Sequence, residues 1–439
     1  MNTNYKNKPN PIKGLKTLIN YQFEANNINP QFPESIENLC ERDICEIPCP
    51  NRKDFRSEKA LTIDCYDCKD MDDAVSVAKT PSGYRLAVHI ADVATYVPVG
   101  SELDSVATYR ATSIYLPGLT VPMLPKVLSN NLCSLNPGVD RNTLSVIAHL
   151  DMEGNVIDAE IVKGKIRSRV KGIYSEVNQI LSGRKDEKLT RKYSKVMDEL
   201  LYMAELYKLL RDARIKDGAT VADSNKPKIS ITKHDVMLTP TKEGIAENMI
   251  EEFMVLANRI VAEYLCDNDL PAIFRIQEKK SQMAAYQPVK MHHADLALES
   301  YSHFTSPIRR VADLKVHQIL SMYLSGVAND EIKELFDETL FDVCERATKR
   351  SRAAKQVQER CERYCYELFF SLHRNFTYTG TLVRFDKRNR PIVQINEYNI
   401  KVIGYALIHG VVGDRYSLKV GVSNYKNELI VSRAQRLTA

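Results

Sequence analysis

Apolar residues recur along this chain with two different periods, and each change of period marks a boundary. Leu15, Leu18, Ile19 and Phe23 fall at helical spacing. Pro30, Pro33, Pro48 and Pro50 then break regular structure, so residues 1–55 are expected to form a helical strap and linker lying across the main domain. From Leu61 to Leu150 short apolar runs alternate with turns. Tyr84–Val97 (YRLAVHIADVATYV) is nearly continuous in apolar and β-branched residues, which predicts a buried strand. Ser101, followed by Glu102 and Asp104, predicts a capped helix with an acidic first turn. A long charged helix is expected over Lys185–Lys216, strands over Lys228–Leu238, an amphipathic helix from Glu243, and further helix from Arg310 to Leu372.

Beyond Phe376 the period shortens to that of strands, about five of them, separated by Gly, Asn and Asp turns. A small β-barrel of the OB type suits that length. The expected class is therefore α+β, with a main domain over residues 56–372 and a barrel over 373–439. The 44% hydrophobic and 27% charged fractions are those of an ordinary globular chain, and no run approaches the roughly 20 apolar residues of a membrane span. Met1–Asn10 is polar, with no apolar core after it, so a cytoplasmic protein is expected.

Net charge is +5, which permits a polyanionic partner without demanding one. The arginine- and lysine-rich stretch Arg346–Arg363 reads equally as a solvated helix face or as a stripe facing RNA. Ten cysteines are scattered. Cys65 and Cys68 form a CxxC, with Cys40, Cys45 and Cys49 upstream. Zinc is conceivable there, but no second clean ligand pair exists, and reduced thiols are the ordinary reading.

The most informative string is Leu61–Val77 (LTIDCYDCKDMDDAVSV), which holds Asp64, Asp67, Asp70, Asp72 and Asp73 within ten residues. Solvated acidic runs usually lack apolar framing, whereas Ile63, Ala74, Val75 and Val77 frame this one. Carboxylates so crowded beside core strands repel one another unless cations neutralise them. Hard oxygen ligands suit magnesium or manganese, and two such ions can flank a scissile phosphate. An acidic surface loop or a calcium loop is the competing reading, although the EF-hand pattern fails for want of its Gly and Glu. A second string, Tyr301–His317 (YSHFTSPIRRVADLKVH), places Arg309 and Arg310 after Ser306-Pro307, in what should be the first turn of a helix opened by Pro307. The helix dipole disfavours arginine there, which points to phosphate binding, or else to pairing with nearby acids. In the third string, Arg110–Arg141, Tyr115 is either a core tyrosine or a stacking platform for a base.

Together these strings resemble the ribonuclease II/ribonuclease R family, whose catalytic module is the RNB domain. The resemblance runs from about Phe32 to Leu372 and is carried by TIDCYDCKDMDDAVSV, LAVHIADVATYVPVGSELDSVATYRATSIYLPG, PMLPKVLSNNLCSLNP and LALESYSHFTSPIRRVADLKVH. It implies cleavage of single-stranded RNA from the 3′ end to nucleoside 5′-monophosphates. By position it gives Asp64, Asp70, Asp72 and Asp73 as active-site and metal-binding aspartates, with Asp72 the most critical. Arg309 matches the arginine on the scissile phosphate, with Arg310 beside it among the RNA-binding residues. Tyr115 matches the tyrosine that stacks near the 3′-terminal base. Glu251 or Glu252 matches a glutamate that contacts the terminal nucleotides. Asp67 stays outside the core four.

Three departures stand out. The cold-shock-like domains that usually precede the module do not precede it in this sequence, so a protein partner supplying RNA-binding domains is one expectation and a monomer another. The segment between Phe274–Lys280 and Met283–Leu298 is short, which would open the RNA channel. Ala222 stands where the family often has a phenylalanine that clamps the terminal bases.

Overall fold

The computed structural model describes residues 10–42, 44, 46–221, 226–423 and 428–437. Its centre is a five-stranded sheet in the order Lys53–Asp54, Val156–Arg167, Asp140–Leu150, Gly83–Ala91, Asp73–Thr80. The first of these pairs in parallel and the others are antiparallel. The apolar run from Tyr84 is indeed a strand buried on both faces, but it ends at Ala91, and Val93–Thr95 forms a 3-10 turn. The helix Glu102–Arg110 starts where the sequence places it, with Ser101 Oγ accepting from the Asp104 N–H at 3.1 Å.

Three long helices complete the core: Ile245–Asp267, Val311–Tyr323 and Asn329–Leu372. The continuous helix expected from Arg310 to Leu372 is broken. Gly326 adopts φ +87°, and its N–H and that of Val327 cap Tyr323 and Met322, a left-handed close open to glycine at little cost. The expected Lys185–Lys216 helix is also two pieces, Glu187–Tyr193 and Met197–Lys216.

The 44-residue helix Asn329–Leu372, about 66 Å long, joins two apolar cores. Its first half, from Ile332 to Ala347, packs into the core around the central sheet. Its second half, from Ala354 to Phe370, packs with the C-terminal barrel. That barrel is closed, five strands in the order Tyr378–Phe385, Pro391–Ile395, Ile400–Ile403, Leu429–Arg436, Arg415–Val422. The N-terminal helix Pro11–Ala25 lies against this second core through Leu15, Ile19 and Phe23 rather than across the central sheet. Arg350 of the long helix donates to the carbonyls of Asn26 and Asn27 at 3.0 Å, so this arginine of the basic stretch caps a helix end. Among the described residues, no helix is long and apolar enough to cross a membrane.

Candidate active site

Asp64 ends the short strand Thr62–Asp64, which pairs in parallel with Lys171–Ile173, and Asp73 opens the edge strand of the central sheet. The chain between them is a loop, and four backbone contacts pin it. Leu135 donates to the Met71 carbonyl, Ala91 donates to the Asp72 carbonyl, and Ser134 Oγ bridges the Met71 N–H and the Lys69 carbonyl. The acidic run is a loop pinned to the core around Lys69, Met71 and Asp72, with Tyr66 and Asp67 exposed at its outer end.

That loop lines a cavity of about 390 Å³ with Asp64, Asp70, Asp72, Asp73, Tyr115, Glu251, Arg309 and Arg310 on its wall. Eight of the nine residues singled out from the sequence thus converge. The ninth, Glu252, is only 2% exposed and is held by Arg211 (2.7 Å) and Arg214 (2.6 Å). Glu251 is half exposed, 3.0 Å from Arg214, and faces the cavity. The geometry separates two neighbours that the sequence left equivalent.

Asp72 is buried. Its Oδ1 accepts the Ile308 N–H at 2.8 Å, and its Oδ2 lies 3.3 Å from Arg309 Nε. Asp70 Oδ2 accepts from the Tyr115 hydroxyl at 2.6 Å. Buried Oδ2 atoms of Asp64 and Asp73 have no donor among the described residues. Burial pushes the Asp72 carboxyl up to about 8, with Asp73 and Asp70 adding repulsion against the pull of Arg309 and Ile308. Burial, then mutual charge, lifts Asp64 and Asp73 to about 7.

Among the described residues, no group of three or more His, Cys, Asp or Glu side chains is assembled to hold a metal ion as the side chains stand. The donor set nonetheless has the chemistry of a divalent-cation site. It offers only hard carboxylate oxygens, several of them buried without a donor, and their ionised forms are disfavoured in the absence of added positive charge. Cys68 Sγ sits 3.7 Å from Asp64 and 3.6 Å from Asp70, and burial plus those charges hold it well above the ordinary thiol range. Cys45, one of the three upstream cysteines, lies outside the described residues, as does Ala222.

Linkage gives a first test. In the metal-free protein the folded carboxyls at about 7 and 8 keep protons that unfolded carboxyls, near 4, have already lost. Their contribution is therefore neutral below about pH 4 and grows destabilising up to about pH 8. Melting temperature should fall over that window. Millimolar magnesium should restore it at pH 8 and do little at pH 5. Asp73→Asn should raise the metal-free melting temperature at pH 8 by about 2–4 °C, since it removes an unpaired buried charge. Scanning calorimetry reads both, and a flat profile would remove the case for crowded buried carboxylates.

Arg309 and Arg310 are not in a helical turn. The helix begins at Val311 with Arg310 as its N-cap residue, and Arg309 lies in the turn before it. Arg310 still sits at the positive end of that helix, where Asp313 offsets its charge, while Arg309 lies one residue further out. Asp313 holds this turn, its Oδ1 accepting the Ser306 N–H at 2.8 Å and Arg310 Nη2 at 2.7 Å. Arg309 Nη2 donates to Ser306 Oγ at 2.8 Å, and its carbonyl accepts from Ser113 N and Thr112 Oγ1. The second and third strings are thus joined by backbone. Two residues beyond Ser113 comes Tyr115, on a hairpin of Ile114–Leu116 with Leu119–Val121 whose Pro117-Gly118 turn takes φ +76° at Gly118. Tyr115 is 37% exposed and so is not a core tyrosine.

Sequence reasoning passed over Asn258. It is 2% exposed, on the cavity wall, and its amide holds both the Tyr301 hydroxyl and the Phe304 N–H. An asparagine inside the apolar helical run MVLANRIV is the signal that could have found it.

The RNB domain model matches residues 52–285 and 279–326. Ribonuclease R of Thermotoga maritima is 33% identical over 430 residues, covering 82% of this chain, and the chain spans 60% of that relative's length. Mycoplasma genitalium RNase R, solved in an apo form, superposes with a TM-score of 0.83 at 23% identity, covering 97% of this chain and 78% of that one. The same protein has been solved in complex with ribose-methylated single-stranded RNA, with a TM-score of 0.80 at 23% identity and coverage of 98% and 76%. Yeast Ssd1, described as a pseudonuclease, shares the fold with a TM-score of 0.68 at 18% identity, over 92% of this chain and 57% of that one.

Proposed function

From a chain that belongs to the RNB domain family, we propose a 3′→5′ exoribonuclease that hydrolyses single-stranded RNA to nucleoside 5′-monophosphates. One observation carries the reading: four aspartates from one turn share a cavity with Arg309 and Tyr115. Water adds to the last phosphodiester phosphorus and the bond to the preceding O3′ breaks. The phosphate leaves on the terminal nucleoside, and the shortened RNA keeps a 3′ hydroxyl.

Asp64, Asp70, Asp72 and Asp73 would hold magnesium or manganese, which when bound supplies charge neutralisation and a water of lowered pKa. Asp72 is aimed by the Ile308 N–H and so enters the reaction already oriented. Arg309 offers its guanidinium to phosphoryl oxygens as they gain charge. The exposed face of Tyr115 takes the terminal base, while its hydroxyl stays on Asp70. Glu251 accepts from the terminal ribose hydroxyls, and Glu252 fixes the arginines behind it.

The fold shared with a pseudonuclease favours a second reading, an RNA-binding relative without turnover. A 5′-labelled single-stranded RNA of about thirty nucleotides, with magnesium or with EDTA, separates the two. Expected is a short 5′-labelled end product with metal and intact RNA with EDTA. RNA that stays intact under every divalent metal, yet shifts on a native gel, would replace the enzyme by the binder. A ladder of intermediates would show that the short segment, here a hairpin of Phe274–Ile276 with Ala285–Gln287, lets RNA go between cuts.

A further inference from the structure

The turn that carries the aspartates has a second cavity behind it. This cavity measures about 730 Å³ and is bounded by Tyr66, Lys69, Arg169, Lys171 and Lys192. Cys68 lines both cavities, so residues 65–70 are a thin wall between them.

The cations of the second cavity are met mostly by carbonyls, with Asp64 acting on Lys171 through the wall. Lys171 Nζ donates to the backbone carbonyls of Tyr66 (3.3 Å) and Cys68 (2.5 Å). Arg169 donates to the carbonyls of Arg56, Ser57 and Glu58. Carbonyl bonds leave the positive charges standing, and among the described residues no carboxylate is within ion-pair distance of Lys69, Arg169 or Lys171. Of the cavity's cations among the described residues, only Lys192 is paired, with Glu176, and the acid that lines this cavity, Asp67, faces Lys228 at 3.4 Å. Tyr66 is 76% exposed and brings an aromatic face to the rim. A concave, cationic site with a free aromatic ring recognises a phosphate joined to a flat base.

We propose that this cavity binds a nucleoside 5′-monophosphate, with the phosphate among Lys69, Arg169 and Lys171 and the base on Tyr66, and that its occupancy slows the catalytic cavity. Lys171 couples the two. A phosphate that engages its ammonium draws it from the carbonyls of Tyr66 and Cys68, and those bonds hold the turn on which Asp70 is placed. The inhibitory half of the proposal rests on the nuclease reading; the binding half does not.

The test uses the full chain and radiolabelled AMP. Equilibrium dialysis in EDTA should show AMP bound to the wild type and to Arg309→Ala, and weakened about tenfold or more in Tyr66→Ala/Lys69→Glu. Both substituted residues are exposed, so the fold should hold. In magnesium, AMP should inhibit RNA hydrolysis without competing with RNA. The double variant should lose that inhibition. Binding that is indifferent to the double variant but lost in Arg309→Ala would put AMP in the catalytic cavity alone and overturn the site. So would displacement of nothing by AMP where a short RNA oligonucleotide binds at Lys69, since the groove then takes a strand. Site-specific AMP binding without any RNA turnover would sink the nuclease reading and leave the binding site standing.

Discussion

Asp72→Asn should cut mononucleotide release by about 10³-fold or more while leaving single-stranded RNA binding within a few-fold of wild type. The size follows from two losses at one atom pair. The wild-type carboxylate accepts the Ile308 N–H through Oδ1 and forms an ion pair with Arg309 Nε through Oδ2. An asparagine has one acceptor and one donor. Whichever way the amide turns, its NH2 faces a donor, so either the turn that carries Arg309 or Arg309 itself is pushed away. The negative charge that a bound cation and the guanidinium would share is lost as well. Burial does not soften this, because Asp72 is 3% exposed and water cannot fill in. The effect should fall on the chemical step, measured in single turnover with saturating protein. Retention of more than about a tenth of the wild-type rate would remove Asp72 from the centre of the reaction. A metal-free melting temperature no lower than that of the wild type would show that the loss is not one of folding.

What made Asp72 findable in the sequence was conflict between levels. Five aspartates in ten residues, framed by Ile63 and Val75, obey neither the rule for core nor that for loop, and a site is the reading that reconciles them. The same reasoning read the capped helix at Ser101 and the five-stranded barrel, because caps, turns and strand periods are local. It failed where the deciding contact is distant in sequence. Arg309 was placed in a helix because Pro307 can open one, but the carbonyl of Arg309 is engaged by Thr112 and Ser113, and the helix waits until Val311. No pattern within Tyr301–His317 encodes that partner. Glu251 and Glu252 are likewise identical in local context. Only the arginines at 211 and 214, one helix away, take Glu252 out of the cavity. The break at Gly326 was legible in principle, and the continuous apolar period on either side masked it.

Arg309→Lys should lose about as much as Arg309→Ala, on the order of 10²–10³ in kcat, with KM for RNA moved less than about tenfold. A lysine keeps the charge, so equal losses would locate the function in the shape of the guanidinium. Arg309 works as a fork: Nη2 donates to Ser306 Oγ at 2.8 Å while Nε faces Asp72 at 3.3 Å. With those two edges engaged, the plane of the group is fixed and the remaining donors point to the cavity. A lysine ammonium on the same backbone turn can satisfy Asp72 or reach a phosphate, and a single point charge cannot do both. Asp72 would hold it, because that carboxylate is buried and close. The transition-state charge would then go unmet, while ground-state binding, spread over Tyr115 and the rest of the wall, would persist. That asymmetry predicts the kcat effect and the quiet KM. If lysine instead restored activity to within about fivefold of wild type, the guanidinium fork would be incidental, and Arg309 would serve only to balance the buried charge of Asp72.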